Sequence, residues 1–126
     1  MQKIIKQLSE KRYEFLRQYE NSYDENLQDY TMEEPVEIDM LGENILSLIM
    51  QSYKELPIDF VIEELTKLGQ APSILYDDNG NFAITGDGTQ DVVFEPSDMT
   101  ITHFIKKEMW KPTIREALEY YLFKSE

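Results

Sequence analysis

The sequence contains no cysteine. Disulfides, thiolate-bound metals and a cysteine nucleophile are therefore excluded, and the composition agrees with a reducing cytoplasm, the expected location. Histidine is nearly absent too: His103 stands alone. Catalytic triads and most zinc sites need a histidine with a partner of defined type. His103 lies between Ile101 and Ile105 in a segment that reads as a strand, so it is assigned to structure. Long apolar runs are missing as well. No stretch approaches the ~18 apolar residues that span a bilayer, and Met1-Gln2-Lys3-Ile4-Ile5-Lys6-Gln7 is not followed by the apolar run of a secretory signal. Basic residues are scarce, with 12 lysines and arginines against 25 acidic residues and a formal net charge of −13. Direct binding to DNA, RNA or an anionic membrane needs a basic footprint, so neither nucleic acid nor membrane is expected as a partner. A basic protein is the natural electrostatic match. The same charge also serves solubility, and composition alone does not choose between the two.

What is present suffices for one core. The chain has 126 residues, 41% of them hydrophobic and 12% aromatic, which fits one domain over 1–126 without staples. In the first segment Met1, Ile5, Leu8, Arg12, Phe15 and Tyr19 recur at spacings of four and three, widened by Ile4 and Leu16. This predicts an amphipathic helix from Gln2 to Tyr19 or slightly beyond. Its stripe is shorter than a coiled-coil seam requires, so packing on the chain's own core is the expected use. A second helix is expected from Met40 to Lys54 with Asp39 as N-cap and Leu41, Ile45, Leu48, Ile49 and Tyr53 as its apolar face. Pro57 redirects the chain. A third helix follows over Ile58 to Leu68, with Gly69 at the left-handed position after its end and Pro72 beyond.

The pattern then changes to strands. Ile74-Leu75-Tyr76 and Phe82-Ala83-Ile84-Thr85 flank Asn79-Gly80, a dipeptide that favours a type I′ hairpin turn with both central residues at positive φ. Further strands are expected at Asp91–Phe94 and from Thr100 to Lys106, giving an antiparallel four-strand meander. Thr113-Ile114-Arg115-Glu116 fits a capping box. The helix it opens, with Ile114, Ala117, Leu118, Tyr121 and Leu122 as core stripe, is expected to pack on the sheet. The predicted class is α+β.

Candidate chemistry is thin. Residues 87–98 place oxygen ligands at some calcium-loop positions, but Val92 stands where an EF-hand needs glycine and Asp98 where it needs a bidentate glutamate. Gly86-Asp87-Gly88 lacks the glycine, helix and lysine of a phosphate loop. Carboxylates are plentiful, yet no pair is singled out for acid–base work, so a carboxylate-dependent enzyme survives only as an alternative without a site. No catalytic residue, metal or cofactor is expected.

Charge distribution is more informative. Residues 1–19 carry five basic and two acidic side chains, whereas residues 20–43 carry nine acidic and no basic one. Residues 20–39 show no period and contain Asp, Asn and Pro, which predicts a long acidic loop, functional or mobile. Tyr23, Glu25, Asp29, Tyr30, Glu33 and Glu34 form the candidate partner surface, the tyrosines as anchors and the carboxylates as steering charges. The expected role is a protein-binding module or inhibitor; a row of carboxylates imitating DNA phosphates is the alternative.

Ala71-Pro72-Ser73-Ile74-Leu75-Tyr76-Asp77-Asp78-Asn79-Gly80, Phe82-Ala83-Ile84 and Met109-Trp110-Lys111-Pro112-Thr113-Ile114-Arg115-Glu116-Ala117-Leu118 together resemble uncharacterised small phage- and prophage-encoded proteins. The resemblance covers less than half the chain and transfers no functional residue. It implies a small intracellular protein, of a kind a phage can encode, with no expected cofactor.

Overall fold

Short-range sequence signals start and stop several of the elements, and the structure, a computed structural model, describes residues 1–86 and 107–123. Helix α1 spans Gln2–Asn21, followed by strands β1 (Tyr23–Asp24) and β2 (Asp29–Tyr30), helices α2 (Val36–Ser52) and α3 (Ile58–Lys67), strands β3 (Ser73–Tyr76) and β4 (Phe82–Thr85), a 3₁₀ turn at Lys107–Met109 and helix α4 (Ile114–Phe123). The chain divides into two compact units, Met1–Leu56 and Pro57–Glu126. The class is mixed helix and sheet, but in place of the expected four-strand meander the described residues form two separate two-stranded antiparallel sheets. The strands expected at Asp91–Phe94 and from Thr100 to Lys106, the calcium-like segment and His103 lie outside the described residues. No helix among those described is long and apolar enough to cross a membrane.

In the first unit α1 packs along α2. Ile5 and Ser9 are buried, and Leu8, Arg12, Phe15, Leu16 and Tyr19 are half-buried on the same stripe. Arg12 sits in that stripe because its stem covers apolar surface while its head finds an acceptor: Nε donates to the Ile38 carbonyl at 3.1 Å. Helix α2 starts four residues before the expected position. Pro35, at φ −61° and ψ 134°, is its N-cap, while Glu37 and Asp39 fall in the first turn. The proline stops the extended chain, and the two carboxylates favour the positive end of the helix; Asp39 contributes there as a charge rather than as the cap. Ile38, Ile45 and Ile49 are buried beneath α2.

In the second unit α3 ends as its sequence predicts. Gly69 has φ 90°, its N–H donates to Thr66 O at 3.0 Å, and Gln70 N–H donates to Leu65 O at 3.1 Å. These two bonds are the paired closure of a Schellman motif, which needs a residue free of the Cβ penalty at positive φ. Val61 and Leu65 face the core, and so does Glu64, 2% exposed. Glu64 Oε2 accepts from Lys67 Nζ at 3.1 Å, while Oε1 has no hydrogen-bond partner.

Strands β3 and β4 pair with Ile74 opposite Ile84 and Leu75 opposite Ala83. The turn between them differs from the expected type I′. Only Gly80 has positive φ, at 83°. Asp77 N–H donates to Asn81 O at 3.1 Å, which leaves Asp78, Asn79 and Gly80 as a three-residue loop, a turn closed by a left-handed glycine. Asp77 selects this form. Its Oδ1 accepts from the N–H groups of Asn79 (2.9 Å) and Asn81 (2.8 Å), and its Oδ2 from Asn81 Nδ2 (3.0 Å). Lys111 then adds to the other edge of β4 through two bonds with Phe82, of 2.7 and 2.8 Å. Ala83 and Met109 form a buried core joined by Leu75, Trp110 and Tyr120. Helix α4 packs on β4 with Ala117 and Leu118 buried, and Thr113 Oγ1 caps it by accepting from Glu116 N–H at 3.1 Å.

Candidate functional site

The acidic segment is a hairpin rather than a loop, and it grows directly from the end of α1. Ser22 ends the helix: its N–H (3.0 Å) and its hydroxyl (2.6 Å) both donate to Tyr19 O. The carbonyl of the same Ser22 accepts from Thr31 N–H at 2.8 Å and Thr31 Oγ1 at 2.9 Å. Between them Tyr23 pairs with Tyr30 and Asp24 with Asp29. Asp24 Oδ1 accepts from Asn26 N–H at 2.8 Å, an Asx turn that begins the bend. Gln28, at φ 54°, completes it. The residues that look like breakers in the sequence are therefore the turn itself. Strands of two residues are too short to show a period, so the available signal is the tyrosine pair flanking an Asp-Glu-Asn bend.

The rings assemble into one cluster. Tyr30 stacks on Tyr19 with centroids 4.1 Å apart and planes 13° from parallel. Tyr23 meets Tyr30 at 5.2 Å and 68°, edge to face. Tyr23 remains 46% and Tyr30 39% exposed, and Leu27 at the hairpin tip is 68% exposed. Partial burial, then the charge of Glu34, then Tyr30 and Asp29 hold the Tyr19 hydroxyl above its ordinary pKa of 10.0.

Of the six residues the sequence singles out, Tyr23, Asp29 and Tyr30 come together in the paired strands. Glu25 lies in the bend, and Glu33 and Glu34 lie in the exposed link to α2. Tyr19 is the member that sequence reasoning assigns to the helix core stripe alone. Two carboxylates directly opposite one another, Asp24 and Asp29, oppose strand pairing. Among the described residues both ion pairs within 4.0 Å are made by Lys67, with Glu63 and Glu64, so the carboxylates of the hairpin are not neutralised by pairing there.

The second unit has an open hollow of about 420 Å³ lined by Lys111, Glu116, Glu119 and Tyr120. Lys111 Nζ lies 4.9 Å from the centre of the Tyr120 ring, so that aromatic face already carries a cation. Among the described residues no three Asp, Glu or His side chains are grouped as a metal site. Compared with protein-family models, curated proteins and solved structures, the chain matches none.

Proposed function

We propose that the chain is a protein-binding module without catalytic activity, acting as an inhibitor by covering a basic surface of its partner. The proposed docking surface is the hairpin with the link to α2: Tyr23 and Tyr30 as anchors, Glu25, Asp29, Glu33 and Glu34 as steering charges. The observation that carries this reading is the exposed tyrosine pair held in a hydrogen-bonded hairpin within a segment of nine acidic and no basic residues. Like charges on paired strands oppose folding, and aromatic anchors with complementary charge are what protein interfaces use.

The test is capture of a partner on the immobilised chain, followed by measurement of association rate against salt. A variant carrying Glu25→Gln, Asp29→Asn, Glu33→Gln and Glu34→Gln is expected to associate more slowly and with a flatter salt dependence. Equal rates and equal slopes in that variant would reduce the acidic segment to a solvated coat.

A second reading has support in the same hairpin: imitation of DNA phosphates, to inhibit a nucleic-acid-binding protein. Imitation needs charges fixed in position, and Asp24 and Asp29 are fixed across from each other by the pairing of their strands. Displacement of the captured partner by duplex DNA would favour this reading; indifference to DNA would favour a general basic surface.

A further inference from the structure

We infer that the Tyr19–Tyr30–Tyr23 cluster is a docking platform for an arginine side chain of a basic partner, with the guanidinium laid against the exposed tyrosines and its charge answered by Asp29 and Glu34. This rests on the partner-binding reading above and names the chemistry that the surface selects.

Three features converge on a cation at this place. The rings form one stacked and edge-packed group with two exposed members, and the face of an aromatic ring attracts a cation through its quadrupole. Acidic residues flank the rings along the chain, Asp29 beside Tyr30 in β2 and Glu34 in the exposed link, and neither is in an ion pair among the described residues. The cluster also sits at the C-terminal end of a 20-residue helix whose last turn has no basic residue. That end carries partial negative charge and is stabilised by a cation nearby. Elsewhere in the chain lysines lie over tyrosines, Lys54 over Tyr53 and Lys111 over Tyr120. Among the described residues no such cation lies over Tyr19, Tyr23 or Tyr30, so the binding capacity of the cluster is open to a partner.

Arginine fits better than lysine. The guanidinium is planar, weakly hydrated and stacks on aromatic faces while its N–H fork reaches a carboxylate. An ammonium is a strongly hydrated point charge that keeps its water. The acidic segment by itself attracts both equally, so a preference between them reports on the rings rather than on the charge.

The experiment uses the full chain and two fluorescent peptides of the same length, four arginines or four lysines spaced by glycine and serine, titrated at one fixed salt concentration. The arginine peptide is expected to bind about tenfold more tightly, within the range of a partly desolvated cation–ring contact. Tyr30→Leu should bring the arginine peptide down to the level of the lysine peptide. Tyr23→Leu, which leaves the Tyr19–Tyr30 stack in place, should shrink the preference and serves if Tyr30→Leu disturbs the hairpin. Equal affinity of the two peptides, or a preference that survives both tyrosine variants, overturns the inference. Should both peptides bind equally and both weaken in the Gln/Asn charge variant, the acidic docking surface stands and the arginine platform falls. Should neither peptide bind, the arginine platform falls, while the docking surface stands or falls by partner capture and the charge variant's association rate.

Discussion

Tyr19 in the last turn of α1 and Tyr30 in β2 stack at 4.1 Å, which joins a helix to a hairpin eleven residues further along the chain. Aromatic pairs of this kind contribute about 0.5–1.5 kcal/mol beyond the area they bury. A double-mutant cycle with Tyr19→Ala and Tyr30→Ala, read by urea unfolding, is expected to return a coupling of about that size. A coupling of zero would show that the two rings are neighbours without being partners.

Gly86 is fixed by a close approach. A Cβ there would collide with the Tyr121 hydroxyl and lie 2.9 Å from Cε1 of the same ring. The ring cannot swing away freely, because its hydroxyl donates to Gln70 Oε1 at 2.6 Å. Gly86→Ala should therefore destabilise by about 1–3 kcal/mol, the usual cost of overpacking. Tyr121→Leu in the same chain should recover part of that loss in thermal melts.

Thr113→Ala removes the hydroxyl that accepts from Glu116 N–H. The expected loss is about 0.5–2 kcal/mol, seen as a lower melting temperature. Thr113→Ser should restore most of it, since serine places the same acceptor.

Asp77 makes stability depend on pH. The Asn81 side-chain amide, the Asn81 N–H and the N–H groups of Asn79 and Gly80 hold its carboxyl below the ordinary value of 3.8. The ionised form is therefore favoured in the folded state. Its contribution is present above the unfolded value and is lost as pH falls through the folded one, so stability rises with pH across the acid range. Asp77→Asn should flatten the urea midpoint between about pH 5 and about pH 2 relative to the parent chain.

Helix ends with local chemistry were legible in the sequence. Gly69 with Pro72, and Thr113 with Glu116, each specify a terminus by one conformational or hydrogen-bonding demand, and each is found where it was expected. The stripes of α1 and α4 were legible because a period of 3.6 repeats several times within one helix. The acidic hairpin was not, since two residues per strand cannot express alternation and its Asp and Asn residues read equally well as loop. The start of α2 is hidden in the sequence because Pro35 caps without a side-chain acceptor, while Asp39 offers a familiar cap in the wrong place. Asn79-Gly80 suggests one turn and forms another because the decisive residue, Asp77, lies two positions upstream. The helical spacing of Tyr19 says which face its ring leaves from and nothing of a hairpin that folds back onto it.

Ser22 has a consequence for how any bound partner would be felt. The residue whose N–H and hydroxyl cap the Tyr19 carbonyl is the same one whose carbonyl receives Thr31 of the returning strand. The end of the helix and the start of the hairpin therefore share one residue. Amide exchange at Ser22 and Thr31 should therefore slow together when a partner holds Tyr23 or Leu27.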